Sequence, residues 1–133
     1  MLFKAELGDI ILAKKIRILR EQYENLPARF VRKIDFDLRY LSEKNIPGLK
    51  GVYLFGSLAR REARSTSDVD LLIVTEKKLE DREMAADIRW TLDEAIDGVR
   101  TDVVYRSEEH EAEKTVFGTV VNRDKILILE VEE

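Results

Sequence analysis

The chain contains no cysteine, one histidine, two prolines and two methionines. Without cysteine it can form no disulfide bond, so nothing in it points to an oxidising compartment. It also lacks a long apolar run, because lysine and arginine interrupt the apolar segment DIILAKKIRIL near the N-terminus. A membrane-spanning helix is therefore not expected, and Glu6 and Asp9 lie where a secretory leader would need an unbroken apolar stretch. These absences predict a soluble protein of the cytoplasm.

Charged residues, by contrast, are abundant and unevenly distributed. They make up 38% of the chain, with a formal net charge of −4. Residues 1–64 carry 14 basic and 8 acidic side chains, whereas residues 65–133 carry 9 basic and 19 acidic ones. A broad nucleic-acid surface usually makes a whole domain basic, so this balance disfavours general DNA or RNA binding. A basic patch on the N-terminal half stays open.

The length and the 44% hydrophobic content fit a single domain spanning residues 1–133. Apolar residues recur at helical spacing in residues 9–25, and Pro27 then starts a second segment with the same spacing. Together they predict a helical hairpin, which would form an N-terminal extension over residues 1–45. The catalytic core would then occupy residues 46–133.

The rest of the chain alternates between short apolar segments and helical patterns. Strands are predicted at residues 52–55, 69–74, 101–106 and 125–131. A short helix is predicted at residues 58–64, a turn at 65–67 and a helix from Ser107 to about Val121. The pattern indicates an α+β domain whose small mixed β-sheet is packed by helices.

One long helix is predicted between the second and third strands. Its buried face would be formed by Met84, Ile88, Leu92, Ala95 and Val99, with Gly98 as a stop signal. Trp90 is expected in the core together with this stripe. The only histidine, His110, is expected to be a solvated side chain.

The first chemical signal is the pair Asp68 and Asp70. Side chains alternate faces along a strand, so both carboxylates would point to one side, with Val69 and Leu71 on the other. Two neighbouring carboxylates repel each other, and a cation between them offsets that cost. Mg²⁺ is the natural partner for such oxygen ligands, because substrate phosphates and water can complete its coordination. Taken alone, such a pair more often merely lines the exposed face of an edge strand, where acidic pairs are common.

A second signal precedes the first. Gly56 and Ser57 follow a predicted buried strand and open a helix, where free N–H groups favour a phosphate. Gly56 would allow close approach of the backbone, and the Ser57 hydroxyl could donate to a phosphate oxygen. A lone Gly-Ser pair is usually a plain turn, but the two signals together are much more specific than either one.

The segment GSLARREARSTSDVDLL, which carries both signals, resembles the signature of the polymerase β nucleotidyltransferase superfamily, GSxAxG followed by SDxDL. It looks most like the minimal nucleotidyltransferases, or MNT proteins, which are single-domain proteins often encoded beside HEPN-domain toxins. The resemblance is specific over residues 51–75 and only architectural over residues 76–130. Arg61 departs from it, since the family usually has glycine there, and this puts the local loop geometry in question.

The resemblance implies a nucleotidyltransferase fold and a set of site residues. Asp68 and Asp70 would hold two Mg²⁺ ions on the triphosphate of the donor, for which ATP is the expected nucleotide. The family's third carboxylate matches Asp102, the only acidic residue in the third predicted strand, which would join one metal and help deprotonate the attacking hydroxyl. The expected nucleotide-binding residues are Gly56, Ser57, Arg60 and Ser67.

Within that set two residues have open roles. Arg60 could reach a phosphate or could pair with Glu62 or an aspartate. Ser67 is expected to fix the turn before the strand rather than to react.

The resemblance also implies an acceptor outside the chain. The expected reaction is transfer of AMP from ATP to a hydroxyl of a partner macromolecule, with a HEPN toxin as that partner and this protein as its antitoxin. One alternative is a binding module without catalysis that blocks a partner by contact through residues 9–45, a segment that could also form a homodimer. Another is nucleotide transfer to a small molecule, although the chain leaves little room for an acceptor-binding domain.

Overall fold

A five-stranded mixed sheet forms the centre of the computed structural model, which describes residues 15–108 and 121–132. The strands are β1 (Lys15–Ile18), β2 (Leu49–Phe55), β3 (Val69–Thr75), β4 (Thr101–Ser107) and β5 (Ile126–Glu132). Their order across the sheet is β1-β5-β2-β3-β4. Strands β3 and β4 pair in parallel, and the other neighbouring pairs are antiparallel. The predicted α+β class with a mixed sheet is confirmed.

Among the described residues, helices α1 (Ala28–Glu43), α2 (Gly56–Ala59) and α3 (Arg82–Leu92) pack around this sheet. Helix α1 follows Pro27, whose φ of −54° already suits helix entry. The predicted apolar stripe of α1 is fully buried and consists of Phe30, Ile34, Leu38 and Leu41. The predicted second helix is therefore confirmed, and it shares one core with β2 and β3.

The two faces of the sheet have different partners. Val69 and Leu71 of β3 point into the core that contains α1. Leu72 and Phe55 belong to a smaller cluster with Val121. Because side chains alternate along a strand, Asp70 shares the face of Leu72 and lies opposite α1.

The predicted helix over residues 9–25 is wrong where the structure describes it. Lys15–Ile18 is instead strand β1, paired with β5, and Arg20–Gln22 is a single 3-10 turn. The strand and the tight turn place Ile16 and Tyr23 against the core, as a helix with this apolar spacing would also do. Pairing with β5 supplies the backbone hydrogen bonds of the strand. The expected helical hairpin, on which the dimer surface rested, is thus not formed by the described part of residues 9–45.

Helix α3 is also shorter than predicted. It starts at Asp81, whose carboxylate accepts a hydrogen bond from the Met84 N–H at 3.0 Å, and it ends at Leu92. The last two members of the expected stripe, Ala95 and Val99, lie beyond it. Asp97 and Gly98 have φ of 54° and 77° and form a two-residue turn, closed by two hydrogen bonds between Ile96 and Val99. Asp-Gly favours this turn over further helix.

Trp90 was expected in the core but is 83% exposed. It follows the buried Ile88 by two positions, which on a helix places it on nearly the opposite side.

Ser107 is the last residue of β4, and the rest of the predicted helix to Val121, including His110, lies almost entirely outside the described residues. In the described part of the chain no helix is long and apolar enough to cross a membrane.

Candidate active site

The candidate site is built on a row of residues that crosses three strands. Asp70 of β3 pairs in register with Asp102 of β4 on one side and with Phe55 of β2 on the other. Partners in register point to the same face, about 5 Å apart between strands. Asp68 immediately precedes β3, and its carboxylate is close enough to raise the pKa of Asp70. The structure therefore brings the three predicted carboxylates to one face and one end of the sheet.

The electrostatics of this row centre on Asp70. Burial, together with the nearby carboxylates of Asp102 and Asp68, raises its pKa to about 6, while Arg60 acts in the opposite direction. Asp68 and Asp102 are exposed. A cation among these oxygens would reverse the repulsion that raises the pKa of Asp70.

Gly56 is required by the position of Asp70. Its φ is 76°, in the left-handed region, and a Cβ added to it would lie 2.3 Å from Oδ2 of Asp70. No side chain fits there unless the carboxylate moves. The expected reason for this glycine was close approach of a phosphate, but the structure shows a nearer cause: the space is taken by Asp70.

Ser57 and Ser67 tie the two halves of the motif together. The Ser57 hydroxyl donates to Oγ of Ser67 at 3.3 Å, and the Ser67 oxygen also accepts from the Arg64 N–H at 2.8 Å. Ser67 thus fixes the turn that leads into β3, as predicted. Ser57 directly follows Gly56, which lies against Asp70, and its hydroxyl could exchange the long contact with Ser67 for one with a phosphate oxygen.

Arg60 forms ion pairs at the border of the site. Its Nε donates to Glu62 at 2.7 Å, and its Nη1 donates to Asp124 at 3.2 Å. Asp124 is only 9% exposed at its side chain and also accepts from Arg123, and these two guanidinium groups lower its pKa. Of the two roles considered for Arg60, pairing is the one observed. Sequence reasoning missed Asp124, because only the pairing of β5 with β2 brings residue 124 near this loop.

Arg61 adopts the backbone conformation that a glycine would adopt. Its φ is 61°, in the left-handed region. Its guanidinium donates to the Leu58 carbonyl at 2.9 Å, to the Gln22 carbonyl at 2.7 Å and to the Asn25 side chain at 3.2 Å. These bonds hold the strained residue in place and attach the loop to the segment before α1. Residue 61 therefore has the left-handed conformation that glycine adopts readily, although it is an arginine.

The chemistry of the row can be compared with what a divalent metal requires. Within residues 15–108 and 121–132, no three His, Cys, Asp or Glu side chains already converge as a metal-binding group. Mg²⁺ in phosphoryl-transfer sites is usually held by one or two carboxylates, with water and substrate phosphates as the other ligands. Asp70 and Asp102, adjacent and on one face, fit that requirement.

Comparison with known proteins identifies the family. The sequence model of the nucleotidyltransferase domain matches residues 38–127, about two thirds of the chain and all of the candidate site. The chain belongs to the nucleotidyltransferase domain family. The family match agrees with the motif resemblance and makes Asp68, Asp70 and Asp102 the first residues to test in this nucleotidyltransferase. None of the proteins with curated functions matches the chain significantly.

Solved structures share the fold of this nucleotidyltransferase. A protein from Sulfolobus solfataricus, described as a candidate nucleotidyltransferase, is 23% identical, with a TM-score of 0.53 over 75% of this chain and 79% of its own. A mutant form of the toxin–antitoxin complex MntA–HpeT is 24% identical, with a TM-score of 0.50 over 72% and 69%. A chain from the complex of tri-AMPylated Shewanella oneidensis HEPN toxin with MNT antitoxin is 21% identical, with a TM-score of 0.43 over 71% and 70%. At 23% and 24% identity, the first two of these structures show the fold alone.

Proposed function

We propose that the protein transfers AMP from ATP, with the help of Mg²⁺, to a hydroxyl group of a partner protein in the cytoplasm. One observation carries this proposal: Asp70 and Asp102 are aligned across β3 and β4, beside the turn formed by Gly56 and Ser57. A metal-binding row next to a phosphate-binding turn is what nucleotide transfer to a hydroxyl requires.

Each side chain of the row has a distinct role in this proposal. Asp68 and Asp70 would hold the metal, and Asp102 would complete the set from the neighbouring strand. Bound Mg²⁺ neutralises charge on the triphosphate and on the attacking oxygen. Because Gly56 has no side chain, the Asp70 carboxylate of β3 can lie next to the end of β2 without displacing the turn formed by Gly56 and Ser57.

The chain's own residues then position the reaction. The Ser57 hydroxyl and the N–H groups at the start of α2 bind the triphosphate, while Asp102 accepts the proton of the acceptor hydroxyl. The acceptor oxygen forms a bond to the α-phosphorus as the bond from that phosphorus to the bridging oxygen breaks. Pyrophosphate leaves, and AMP remains on the acceptor. Asp102 is exposed, so its proton can pass to solvent.

The proposed partner is a HEPN toxin, which the protein would silence by AMPylation. The motif resemblance supports this partner, and the MntA–HpeT complex that shares the fold is a toxin–antitoxin pair. The two main alternatives to an AMPylating antitoxin are neutralisation by contact alone and transfer to a small molecule.

A cell-based experiment separates enzymatic from contact neutralisation. The proposed HEPN partner is expressed with wild-type protein or with the double variant Asp68→Asn, Asp70→Asn. We expect growth to be rescued by the wild type and not by the double variant, although both should still bind the HEPN protein. Full rescue by the double variant would show that contact is sufficient. Unchanged ATP consumption on adding small hydroxylated substrates would argue further against the small-molecule alternative.

A further inference from the structure

Arg29, near the start of α1, donates two hydrogen bonds to the main chain of the motif loop. Its Nη1 donates to the Ser65 carbonyl and its Nη2 to the Arg64 carbonyl, each at 3.1 Å. The planar guanidinium group thus reaches two consecutive carbonyl groups at once, a contact that lysine cannot reproduce. These carbonyls belong to the turn of residues 64–67, which leads to Asp68 and β3.

The turn of residues 64–67 is closed by two short-range hydrogen bonds. The Ser67 N–H donates to the Arg64 carbonyl at 3.0 Å, and the Ser67 hydroxyl oxygen accepts from the Arg64 N–H at 2.8 Å. The Arg64 carbonyl therefore accepts from both Ser67 and Arg29. Since the Arg29 guanidinium is charged, its bonds to these carbonyls are stronger than bonds between neutral groups. Arg29 thus holds the closed form of the turn from outside the motif.

The closed turn sets the position of two candidate site residues. Oγ of Ser67 accepts from the Ser57 hydroxyl at 3.3 Å, and Asp68 follows Ser67 in the chain. An opened turn would move Ser67, and with it the residue that enters β3. Mg²⁺ requires near-ideal octahedral geometry, and a misplacement of about 1 Å in a catalytic site lowers rates strongly. The contact of Arg29 therefore affects both the phosphate-binding and the metal-binding half of the motif.

The position of Arg29 in its helix is unfavourable in itself. Arg29 is the second residue of α1, and the N-terminal end of a helix carries a partial positive charge that disfavours a cation. In the first turn of α1, which the structure describes in full, no acidic side chain offsets this charge. A residue that opposes the local preference is expected where it makes a valuable contact elsewhere. For Arg29 that contact is the turn, 35 residues further along the chain.

Packing restricts the Arg29 side chain to this orientation. The guanidinium carbon lies 4.3 Å from the centre of the Phe30 ring, and Phe30 is fully buried. Stacking on a fixed ring limits the conformations that the long side chain can adopt. Less entropy is therefore lost when the guanidinium group binds the turn.

A second arginine joins the same two segments at the other half of the loop. Arg61 donates to the Gln22 carbonyl at 2.7 Å, in the segment before α1. Its half of the loop is also bonded through the main chain, from the Glu62 N–H to the Ser57 carbonyl at 2.8 Å. Activity should therefore tolerate replacement of Arg61, whereas Arg29 acts on the half of the loop next to β3.

We propose that Arg29 is a positioning residue of the active site. It holds the turn of residues 64–67 so that Ser67 and Asp68 keep the geometry needed for ATP and Mg²⁺. This inference rests on the proposed function and adds to it a residue outside the sequence motif. Arg29 acts through the turn and takes no part in bond making.

The test compares Arg29→Ala with wild type in steady-state AMP transfer to the proposed HEPN partner, with ATP, Mg²⁺ and the partner varied separately. We expect kcat/KM for ATP to fall at least about tenfold and the Mg²⁺ concentration for half-maximal rate to rise. The KM for the partner should change by less than about twofold. Arg29→Lys should recover part of the loss, because lysine can donate to one of the two carbonyls.

Arg32→Ala is the matched control. Arg32 lies three residues further along the same helix, is exposed and pairs with Asp97, outside the motif. The variant removes the same charge from the same helix and should behave as wild type in all three measurements. Equal losses in Arg29→Ala and Arg32→Ala would assign the effect to charge and overturn the inference. An unchanged kcat/KM for ATP in Arg29→Ala would overturn it as well.

Amide hydrogen exchange, followed by NMR, gives a measurement that does not depend on activity. In Arg29→Ala the Ser67 N–H, which donates to the Arg64 carbonyl, should exchange at least about threefold faster. The N–H groups in the middle of α1 should exchange at the wild-type rate, whereas a general loss of stability would accelerate both. Unchanged exchange at Ser67, or equal acceleration in α1, would contradict the positioning role.

Failure of the inference and failure of the proposed function give different results. If wild-type protein transfers AMP and Arg29→Ala does so with the same kcat/KM for ATP, only the positioning role is wrong. If wild-type protein transfers no AMP, the proposed function fails, and hydrogen exchange still decides whether Arg29 holds the turn.

Discussion

The carboxylate of Asp70, a candidate catalytic group, occupies the space that a side chain at residue 56 would need. Gly56→Ala places a methyl group 2.3 Å from Oδ2 of Asp70 on a residue with φ of 76°. We expect a stability loss on the order of 1–3 kcal/mol, because the alanine is strained and the carboxylate must move. Displacing Asp70, a proposed metal ligand, should also lower transferase activity at least ~100-fold. Urea unfolding and the rate of AMP transfer measure the two effects.

Gly98→Ala is the matched control for this change. Gly98 has nearly the same φ, 77°, but an added Cβ would meet nothing within 4 Å. It should lose about 1 kcal/mol from backbone strain alone and keep wild-type activity. Equal activity losses in the two variants would contradict the assigned role of Gly56.

Arg61 shows how a side chain can compensate for an unfavourable backbone conformation. Arg61→Gly removes the strain of φ 61° and the guanidinium bonds, whereas Arg61→Ala removes only the bonds. We expect the glycine variant to be more stable than the alanine variant by about 1 kcal/mol, and both to remain active. Thermal unfolding of the two variants side by side makes the comparison. An alanine variant as stable as the glycine one would mean that residue 61 is not strained.

Asp70 should destabilise the metal-free protein. Its pKa is raised from 3.8 to about 6 on folding, so the folded state keeps the proton at a pH where the unfolded state has lost it. Stability from this group is therefore greatest below pH 3.8 and is lost as the pH rises to about 6. Because Asp70 is only partly buried, we expect its ionisation to lower the free energy of unfolding by only about 1 kcal/mol once the pH is above about 6.

Asp70→Asn tests this cost directly. In the presence of EDTA at about pH 8, the variant should be more stable than wild type by about 1 kcal/mol, and the gain should shrink towards pH 5. Mg²⁺ with ATP should stabilise wild type but not the variant. Urea unfolding at several pH values gives the result, and a variant that is less stable than wild type throughout would contradict the assignment.

Among the elements, those with a local signal were predictable and those that depend on distant partners were not. The fully buried stripe of α1 and the apolar runs of β2 and β3 specify their own structure. Strand β1 forms because β5, more than a hundred residues later, pairs with it. Its apolar spacing is shared with a helix, and tertiary pairing decided between the two.

A buried ion pair joins three elements behind the site. Lys33 of α1 donates to Asp37 at 2.7 Å and to the Leu92 carbonyl at the end of α3 at 2.8 Å. Asp37 also accepts from the hydroxyl of Thr101, the residue next to Asp102, and all three side chains are buried. Burial raises the pKa of Asp37 to about 6, although Lys33 and Thr101 act to lower it.

Removing one partner of this ion pair should lower the free energy of unfolding more than removing both partners. Lys33→Met leaves Asp37 buried without its cation, and we expect a loss of about 3 kcal/mol or more. Adding Asp37→Leu should recover at least about 1 kcal/mol, with the Leu92 carbonyl and the Thr101 hydroxyl still unsatisfied. A double-mutant cycle by urea unfolding gives the coupling. Additive losses would show that the two residues do not form a pair in solution.

For the whole molecule, the motif of the candidate site could be predicted from the sequence, whereas the outer surface of α3 could not. Asp68, Asp70 and Gly56 lie in one contiguous motif, and strand alternation predicts that both carboxylates point to one face. Trp90 of α3 was predicted in the core but is exposed. A helical stripe predicts which face of a helix is buried. For a single aromatic residue near the edge of that face, only the structure shows whether the side chain is buried or exposed.

The central claim is that AMP, and not phosphate, moves from ATP to a partner protein. The most direct measurement incubates purified protein, Mg²⁺ and the proposed HEPN partner with ATP labelled in either the α or the γ phosphate. We predict that α label appears on the HEPN protein with equimolar pyrophosphate, that γ label does not, and that Asp70→Asn abolishes transfer. Transfer of γ label, or undiminished α transfer by Asp70→Asn, would contradict it.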